Sequence, residues 1–259
     1  MPQTIKEIKQ QLTQISDLND PKLIEFSLDL RIGVQNLILQ KKKKLKATIL
    51  ESKRLEKMLI FEKELYSQGI KFIAGIDEVG RGPLAGPVVT AAVILPENCK
   101  IPGLNDSKQI PKSKHKKIYQ EILNQALSVA IGSCSPEEID EINIYQASRK
   151  AMAEAVLKLN PFPEYLLIDA LRIDINLPQI SIIKGDAKSM SIAAASIVAK
   201  VTRDQIMTQY DELYPGYDFA HNAGYGTVKH MEALKVLGVT PIHRKTFSPV
   251  TELLNKPIL

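Results

Sequence analysis

One stretch, Lys71-Phe-Ile-Ala-Gly-Ile-Asp77-Glu78-Val-Gly80-Arg81-Gly82-Pro83, constrains the fold more than any other part of this chain. An apolar run that ends in two consecutive acids and a glycine-rich turn reads as a buried strand reaching a sheet edge. Acids are poor strand members, so they mark where the strand stops. A second apolar run, Tyr165-Leu-Leu-Ile168, also ends on an acid, Asp169. Two such strands suggest one edge on which the carboxylates converge. A third candidate, Asp186 in Lys184-Gly185-Asp186, lies 17 residues after Asp169 and just before a long helical stretch.

The rest of the chain supplies the frame. Val88–Leu95, Ser128–Ser133 and Gln179–Ile183 read as further strands. Ser135-Pro136-Glu137-Glu138 is a helix start, with a cap, a proline at the first position and a glutamate at the third. That helix runs to about Leu159, where Asn160-Pro161 stops it. Another runs from about Ser189 to Tyr210, and its Ala193-Ala194-Ala195 face suits close packing. Three strands in a row, then strands alternating with helices, predict an α/β fold with a mixed sheet flanked by helices.

The first 70 residues have a different texture. Thr4 and Glu7 have capping-box spacing, and Ile5, Ile8, Leu12 and Ile15 recur on one helical face. Asp20-Pro21 opens a second helix. A third is expected from about Lys41 to Leu65, ending near Ser67-Gln68-Gly69. The division read from the sequence is an all-helical N-terminal extension, 1–70, and an α/β domain, 71–259.

Composition narrows the function classes. The chain has 259 residues, 44% apolar and 24% charged, which excludes wholesale disorder. Its two cysteines, Cys99 and Cys134, exclude a disulfide framework and a four-cysteine zinc site, and point to a reducing compartment. No apolar run reaches the roughly 18 residues of a membrane span, and the N-terminus lacks a signal-peptide pattern. A cytoplasmic, monomeric protein with no membrane partner is expected. The net charge is +5, from 34 Lys and Arg against 29 Asp and Glu. Residues 1–70 hold 13 against 9 and residues 71–259 hold 21 against 20, so most of the excess lies in the extension. The run Lys41–Lys44, with Lys46 behind it, is a solvated helix face or an attraction for phosphates.

Asp77, Glu78, Asp169 and Asp186 form an oxygen-only set that suits Mg²⁺ or Mn²⁺. Packed carboxylates repel, and a pair of cations would cancel that repulsion while assisting phosphoryl chemistry. The glycines of Gly80-Arg81-Gly82 let a backbone come close to a ligand. The turn is not a P-loop, because no Gly-Lys-Ser/Thr ending follows. It is not a dinucleotide fingerprint either, because Gly86 comes one residue late. His115, His221, His230 and His243 lack helical i, i+4 spacing, which argues against a histidine zinc site. The cysteines read as buried apolar residues, and Tyr210, Tyr214 and Tyr217 as core.

On these residues the chain closely resembles the ribonuclease HII family. The segment from Gly75 to Pro87 is similar to that family's opening motif almost letter for letter. Further similarities follow in order: Leu104-Asn-Asp106-Ser107-Lys108, Ile168-Asp169-Ala170, Lys184-Gly185-Asp186-Ala-Lys188-Ser, Ala193–Lys200, and Gly224-Tyr225-Gly226-Thr227 with His230. The resemblance implies a ribonuclease H-like sheet, with Asp77, Glu78, Asp169 and Asp186 as catalytic metal ligands for Mn²⁺ or Mg²⁺. It implies hydrolysis of the phosphodiester 5′ to a ribonucleotide, in RNA–DNA hybrids or in duplex DNA, leaving 3′-hydroxyl and 5′-phosphate ends. Gly80, Arg81 and Gly82 would read the 2′-hydroxyl, Tyr225 would stack on the next sugar, and Lys108 would meet a phosphate. Arg81, Asp186 and the helical N-terminus separate the chain from the sister ribonuclease HIII type. The rival readings are a non-catalytic nucleic-acid binder on the same fold and a two-metal phosphatase acting on small substrates.

Overall fold

The computed structural model describes residues 3–255. Two compact units divide between Lys57 and Met58. In the first, α1 (Ile5–Gln14) begins with the capping box that the sequence predicts. The Thr4 hydroxyl accepts the Glu7 N–H, and the Glu7 carboxylate accepts the Thr4 N–H. Helix α2 (Pro21–Ser27) is capped by Asp20, whose carboxylate accepts the Lys22 N–H at 2.8 Å. Helix α3 (Ile32–Met58) starts well before Lys41. Val34, Ile38 and Leu45, spaced by four and seven residues, carry its buried face past the start expected from the lysine run. With Ile8, Leu12, Ile15, Leu23 and Phe26 they form a small core, each large side chain contributing about 1.5–3 kcal/mol on burial.

The single helix expected over Lys41–Leu65 is in fact two, because α3 stops at Met58 and α4 (Ile60–Ser67) follows. The unit boundary accordingly falls thirteen residues before the division at residue 70 read from the sequence. Helix α4 belongs to the second unit. Its Leu65 is buried with Ile73, Leu167, Ile182 and Ile192. Its buried Glu62 accepts hydrogen bonds from the Ser189 hydroxyl and from the Ser191 N–H and hydroxyl.

The second unit is built on strands β1 (Ile73–Val79), β2 (Val88–Ile94), β3 (Ser128–Cys134), β4 (Tyr165–Asp169) and β5 (Gln179–Ile182). Among the described residues they form one sheet in the order β3-β2-β1-β4-β5. The β1–β2 and β2–β3 pairs are antiparallel, and β1–β4 and β4–β5 are parallel. The sheet is therefore mixed, as its strand pattern predicts. Helix α6 (Pro136–Leu157) covers one face, with Met152, Ala155 and Val156 against Ala74, Ile76, Ala92 and Ile168. Helix α7 (Met190–Leu213) covers the other.

Close approach on each face demands a glycine. A Cβ on Gly75 would lie 2.1 Å from the Ser191 carbonyl carbon, and one on Gly132 would lie 2.0 Å from the Ala151 oxygen. The cap read from the sequence at Ser135 is present, with Ser135 accepting the Glu138 N–H, and the structure adds one at Ser189, which accepts the Ile192 N–H. Asn143, at φ +64°, interrupts α6, and its side chain recaps the helix by accepting the N–H groups of Tyr145 and Gln146. Helices α5 (Lys112–Gln125), α8 (Phe219–Asn222), α9 (Val228–Leu237) and α10 (Val250–Leu254) complete the unit. Among the described residues no helix is long and apolar enough to cross a membrane.

Candidate active site

Strand polarity brings the acids together. β1 and β4 are parallel with Ile76 opposite Ile168, so Asp77 and Asp169 lie side by side towards the carboxyl ends of neighbouring strands. The acids do not stop β1 as its sequence suggests: pairing with β2 carries the strand through Asp77 and Glu78 to Val79. β5 runs parallel to β4 and ends beside Asp169. The chain then turns through Lys184, at φ +56°, into a short 3₁₀ turn, Gly185–Ala187, that carries Asp186. The Gly185 N–H donates to Asp169 Oδ1 at 2.6 Å and ties this turn to β4.

A cavity of about 440 Å³ opens at this edge. Asp77, Glu78, Asp169 and Asp186 line it, and so do Gly80, Arg81, Gly82, Lys108 and Tyr225. Three further polar residues share the lining that the sequence reading did not single out as functional: Ser107, Ser196 and Lys200. They join the site through the loop before α5 and through α7. The Ser196 hydroxyl lies within hydrogen-bond reach of Asp77 and 3.2 Å from Ser107 Oγ. Lys200 pairs with Asp204 at 2.7 Å, one turn along α7. A fifth acid, Asp106, lies within hydrogen-bond reach of Asp186. Its position beside Ser107 and Lys108 was the only sequence signal that could have found it.

Burial and mutual repulsion raise the proton affinity of all four acids. Asp77 is pushed well above the ordinary carboxylate range, first by burial and then by the charge of Glu78. Burial lifts Glu78 to about 7, although the Arg81 guanidinium, 3.3 Å from its Oε1, pulls the other way. Asp169 is raised by burial and partly restored by the Gly185 N–H and Lys108. Asp186 is raised by burial, then by Asp106 and Asp169. Glu78 Oε2 is buried with no hydrogen-bond partner among the described residues. An all-oxygen donor set, an orphaned carboxylate oxygen and acids that resist ionising beside one another fit a hard divalent cation. Among the described residues no three acidic, histidine or cysteine side chains stand, as placed, close enough together to hold a metal ion. The acids are gathered around a cleft and not clamped on one point.

The glycine turn and Tyr225 face the same cleft. Gly80 has φ +101°, and a Cβ there would lie 2.2 Å from Arg203 Nε, so no other residue fits. Tyr225 is half exposed, and its ring lies over Gly82. The Tyr225 carbonyl accepts His230 Nδ1–H at 2.9 Å. That bond settles the proton arrangement of a buried histidine pair. His243 Nδ1 accepts the Thr240 N–H, so its Nε2 carries the proton and donates to His230 Nε2 at 3.0 Å. Both rings are then neutral, in accord with burial lowering His230 and pushing His243 down to about 4. These histidines serve Tyr225 and not a metal.

Several other sequence readings find their place. Tyr217 is buried and stacks on Phe219 at 5.2 Å. Tyr210 and Tyr214 pack against the same cluster. Both cysteines are buried, their thiols pushed up to about 11. His115 bonds the Ser107 and Ile110 carbonyls at 3.0 Å, and so anchors the loop that carries Lys108. Lys184 and Lys188 do not line the cavity.

A mixed sheet whose parallel strands carry acids towards their carboxyl ends over a cleft, covered by helices on both faces, defines a hydrolase of the ribonuclease H type. The family model for ribonuclease HII matches residues 74–250, and that for the ribonuclease HII N-terminal domain matches residues 4–66. The chain belongs to the ribonuclease HII family. Among solved structures it is similar to the ribonuclease H2 from Pyrococcus horikoshii OT3, at 26% identity and a TM-score of 0.61, covering 70% of this chain and 96% of that one. The ribonuclease HII of Archaeoglobus fulgidus, solved in complex with PCNA, matches at 26% identity and 0.59, covering 68% and 95%. Bst-RNase HIII in complex with Mn²⁺ shares the fold at 20% identity and 0.55, covering 71% and 69%. The family acts on nucleic acid and depends on divalent metal ions.

Proposed function

We propose that this ribonuclease H cuts the phosphodiester on the 5′ side of a ribonucleotide, in RNA–DNA hybrids and in duplex DNA with embedded ribonucleotides, leaving a 3′-hydroxyl and a 5′-phosphate. Its service would be the removal of misincorporated ribonucleotides. One observation carries the reading: four carboxylates share a single cleft with the Gly80–Gly82 turn and Tyr225. Acids beside phosphate have no use in a pure binder, whereas a turn with free backbone groups suits a sugar hydroxyl, the group that distinguishes RNA from DNA.

Asp77, Glu78, Asp169 and Asp186 would hold Mg²⁺ or Mn²⁺. Such cations, when bound, supply Lewis-acid stabilisation of phosphate charge and activation of water. The protein's own residues do the rest. Gly185 orients Asp169, and Ser196 orients Asp77. Lys108 lines the cleft where a phosphate would lie and offsets the charge of Asp169. Arg81 steadies Glu78. Gly80, Arg81 and Gly82 read the 2′-hydroxyl through their backbone, and Tyr225 stacks on the adjoining sugar. The N-terminal unit, with Lys41–Lys44, acts as an auxiliary clamp on the duplex.

The test is a labelled duplex with one ribonucleotide, incubated with Mg²⁺ or Mn²⁺. A single nick at the 5′ side of the ribonucleotide is expected. Equal cutting of an all-DNA duplex, or turnover of a chromogenic phosphate ester without duplex cleavage, would overturn the proposal.

A further inference from the structure

The turn from Gly80 to Pro87 is held from beneath by two arginines. Arg203 on α7 and Arg244, seven residues beyond α9, are both fully buried. Each of their hydrogen bonds ends on a main-chain carbonyl. Arg203 donates from Nε to Pro87 at 2.9 Å, from Nη2 to Ala85 at 3.0 Å and from Nη1 to Ala223 at 2.8 Å. Arg244 donates from Nη1 to Arg81 at 2.9 Å, from Nη2 to Gly80 and Gly86, and from Nε to Gly86 at 3.1 Å. Two guanidiniums thus grip both ends of the turn.

The Arg244 contacts have a consequence for the other side of the loop. The peptides joining Gly80, Arg81 and Gly82 are trans, and a trans peptide points its C=O and its N–H in opposite directions. With the Gly80 and Arg81 carbonyls drawn to Arg244, the amides of Arg81 and Gly82 face away from it. Both residues line the cleft, and neither amide has an intramolecular acceptor among the described residues. A cation on each carbonyl also polarises the peptide and strengthens the N–H donor.

We propose that Arg244 is the positioning residue of the ribonucleotide-reading turn, fixing the Gly80 and Arg81 peptide planes so that two amides meet the substrate already aligned. The inference rests on the reading above that this turn contacts a 2′-hydroxyl. Lysine could supply the charge but not a planar fork of four bonds. Burial lowers Arg244 to about 9, so it remains a cation at neutral pH.

The test combines backbone dynamics with binding, on the full chain. In the native protein the Arg81 and Gly82 amides should have ¹⁵N order parameters near ~0.85, as in a rigid strand, and values below ~0.6 would overturn the proposal. In Arg244→Lys they should fall while those of β1 and α7 hold. Fluorescence anisotropy, with chelator present to prevent cutting, then compares a one-ribonucleotide duplex with its all-DNA counterpart. Arg244→Lys should lose about tenfold of the ribonucleotide preference, with all-DNA affinity unchanged. A folded variant with full preference, or an equal loss on both duplexes, would overturn the proposal. If the native protein shows no preference, the reading of the turn's substrate fails instead, and the order parameters still decide whether Arg244 holds the turn. If the variant does not fold, native order parameters below ~0.6 at Arg81 and Gly82 would still overturn the proposal.

Discussion

Glu78 sits where burial and charge conflict most directly, and its behaviour sets the pH response of the site. Its folded pKa of about 7 lies above the ordinary value of 4.5. The folded state therefore binds the extra proton between those values. The stabilisation this gives the metal-free protein is complete below about pH 4.5 and lost as pH rises through 7. On the proposed reading a divalent cation would take the proton's place. The rise in Tm on adding Mn²⁺ should be large near pH 8 and small near pH 5.5, and a melting series checks it. His243 works in the opposite sense. Its pKa of about 4 lies below the ordinary 6.5, so its contribution is present above 6.5 and lost as pH falls towards 4. Asp77→Asn removes a buried carboxyl group whose ionisation burial and Glu78 oppose. It should abolish cleavage yet raise the Tm of the metal-free protein, by about 2–4 °C for each kcal/mol gained. A nicking assay and a melt of one preparation test both halves. The four acids were legible because each ends an apolar run or precedes a capped helix. Ser107, Ser196 and Lys200 were not, because a loop residue and two helix residues reach the cleft only through tertiary packing.

Three helix starts were readable from short-range chemistry alone. Thr4 with Glu7, Asp20 with Pro21, and Ser135 with Glu138 form the predicted caps, since a cap depends on residues within one turn. The extent of α3 was not readable from its lysine run, because that helix is set by which face its neighbours bury. Glycine is informative at this scale as well. Gly75→Ala and Gly132→Ala would drive a Cβ into backbone atoms of α7 and α6. Each should destabilise the fold by at least the ~1–3 kcal/mol of ordinary overpacking, measurable by urea unfolding. Gly69→Ala is the comparison. Its φ is positive, but nothing lies within 4 Å, so it should cost only the backbone strain of ~1–2 kcal/mol.

At the scale of the molecule, the unit boundary reassigns the charge. Residues 1–57 hold twelve Lys and Arg against seven Asp and Glu, +5, and residues 58–259 hold 22 against 22. The whole formal excess belongs to the first unit. Removing residues 1–57 should therefore weaken duplex binding and flatten its salt dependence while the second unit still folds. Removing residues 1–70 also deletes Glu62, Leu65 and Tyr66 from the α/β core, and should lower the Tm of what remains. Binding titrations at several salt concentrations and parallel melts separate the two outcomes. The sequence by itself determined the class of fold, the acids on two strands, the glycine turn and the basic N-terminus, because these follow from periodicity, capping and charge along the chain. Only the tertiary structure decided where the units part, which loop residues join the acids, and that two buried arginines and a histidine pair shape the cleft from behind. Those contacts join residues up to 164 positions apart, and no local pattern encodes them.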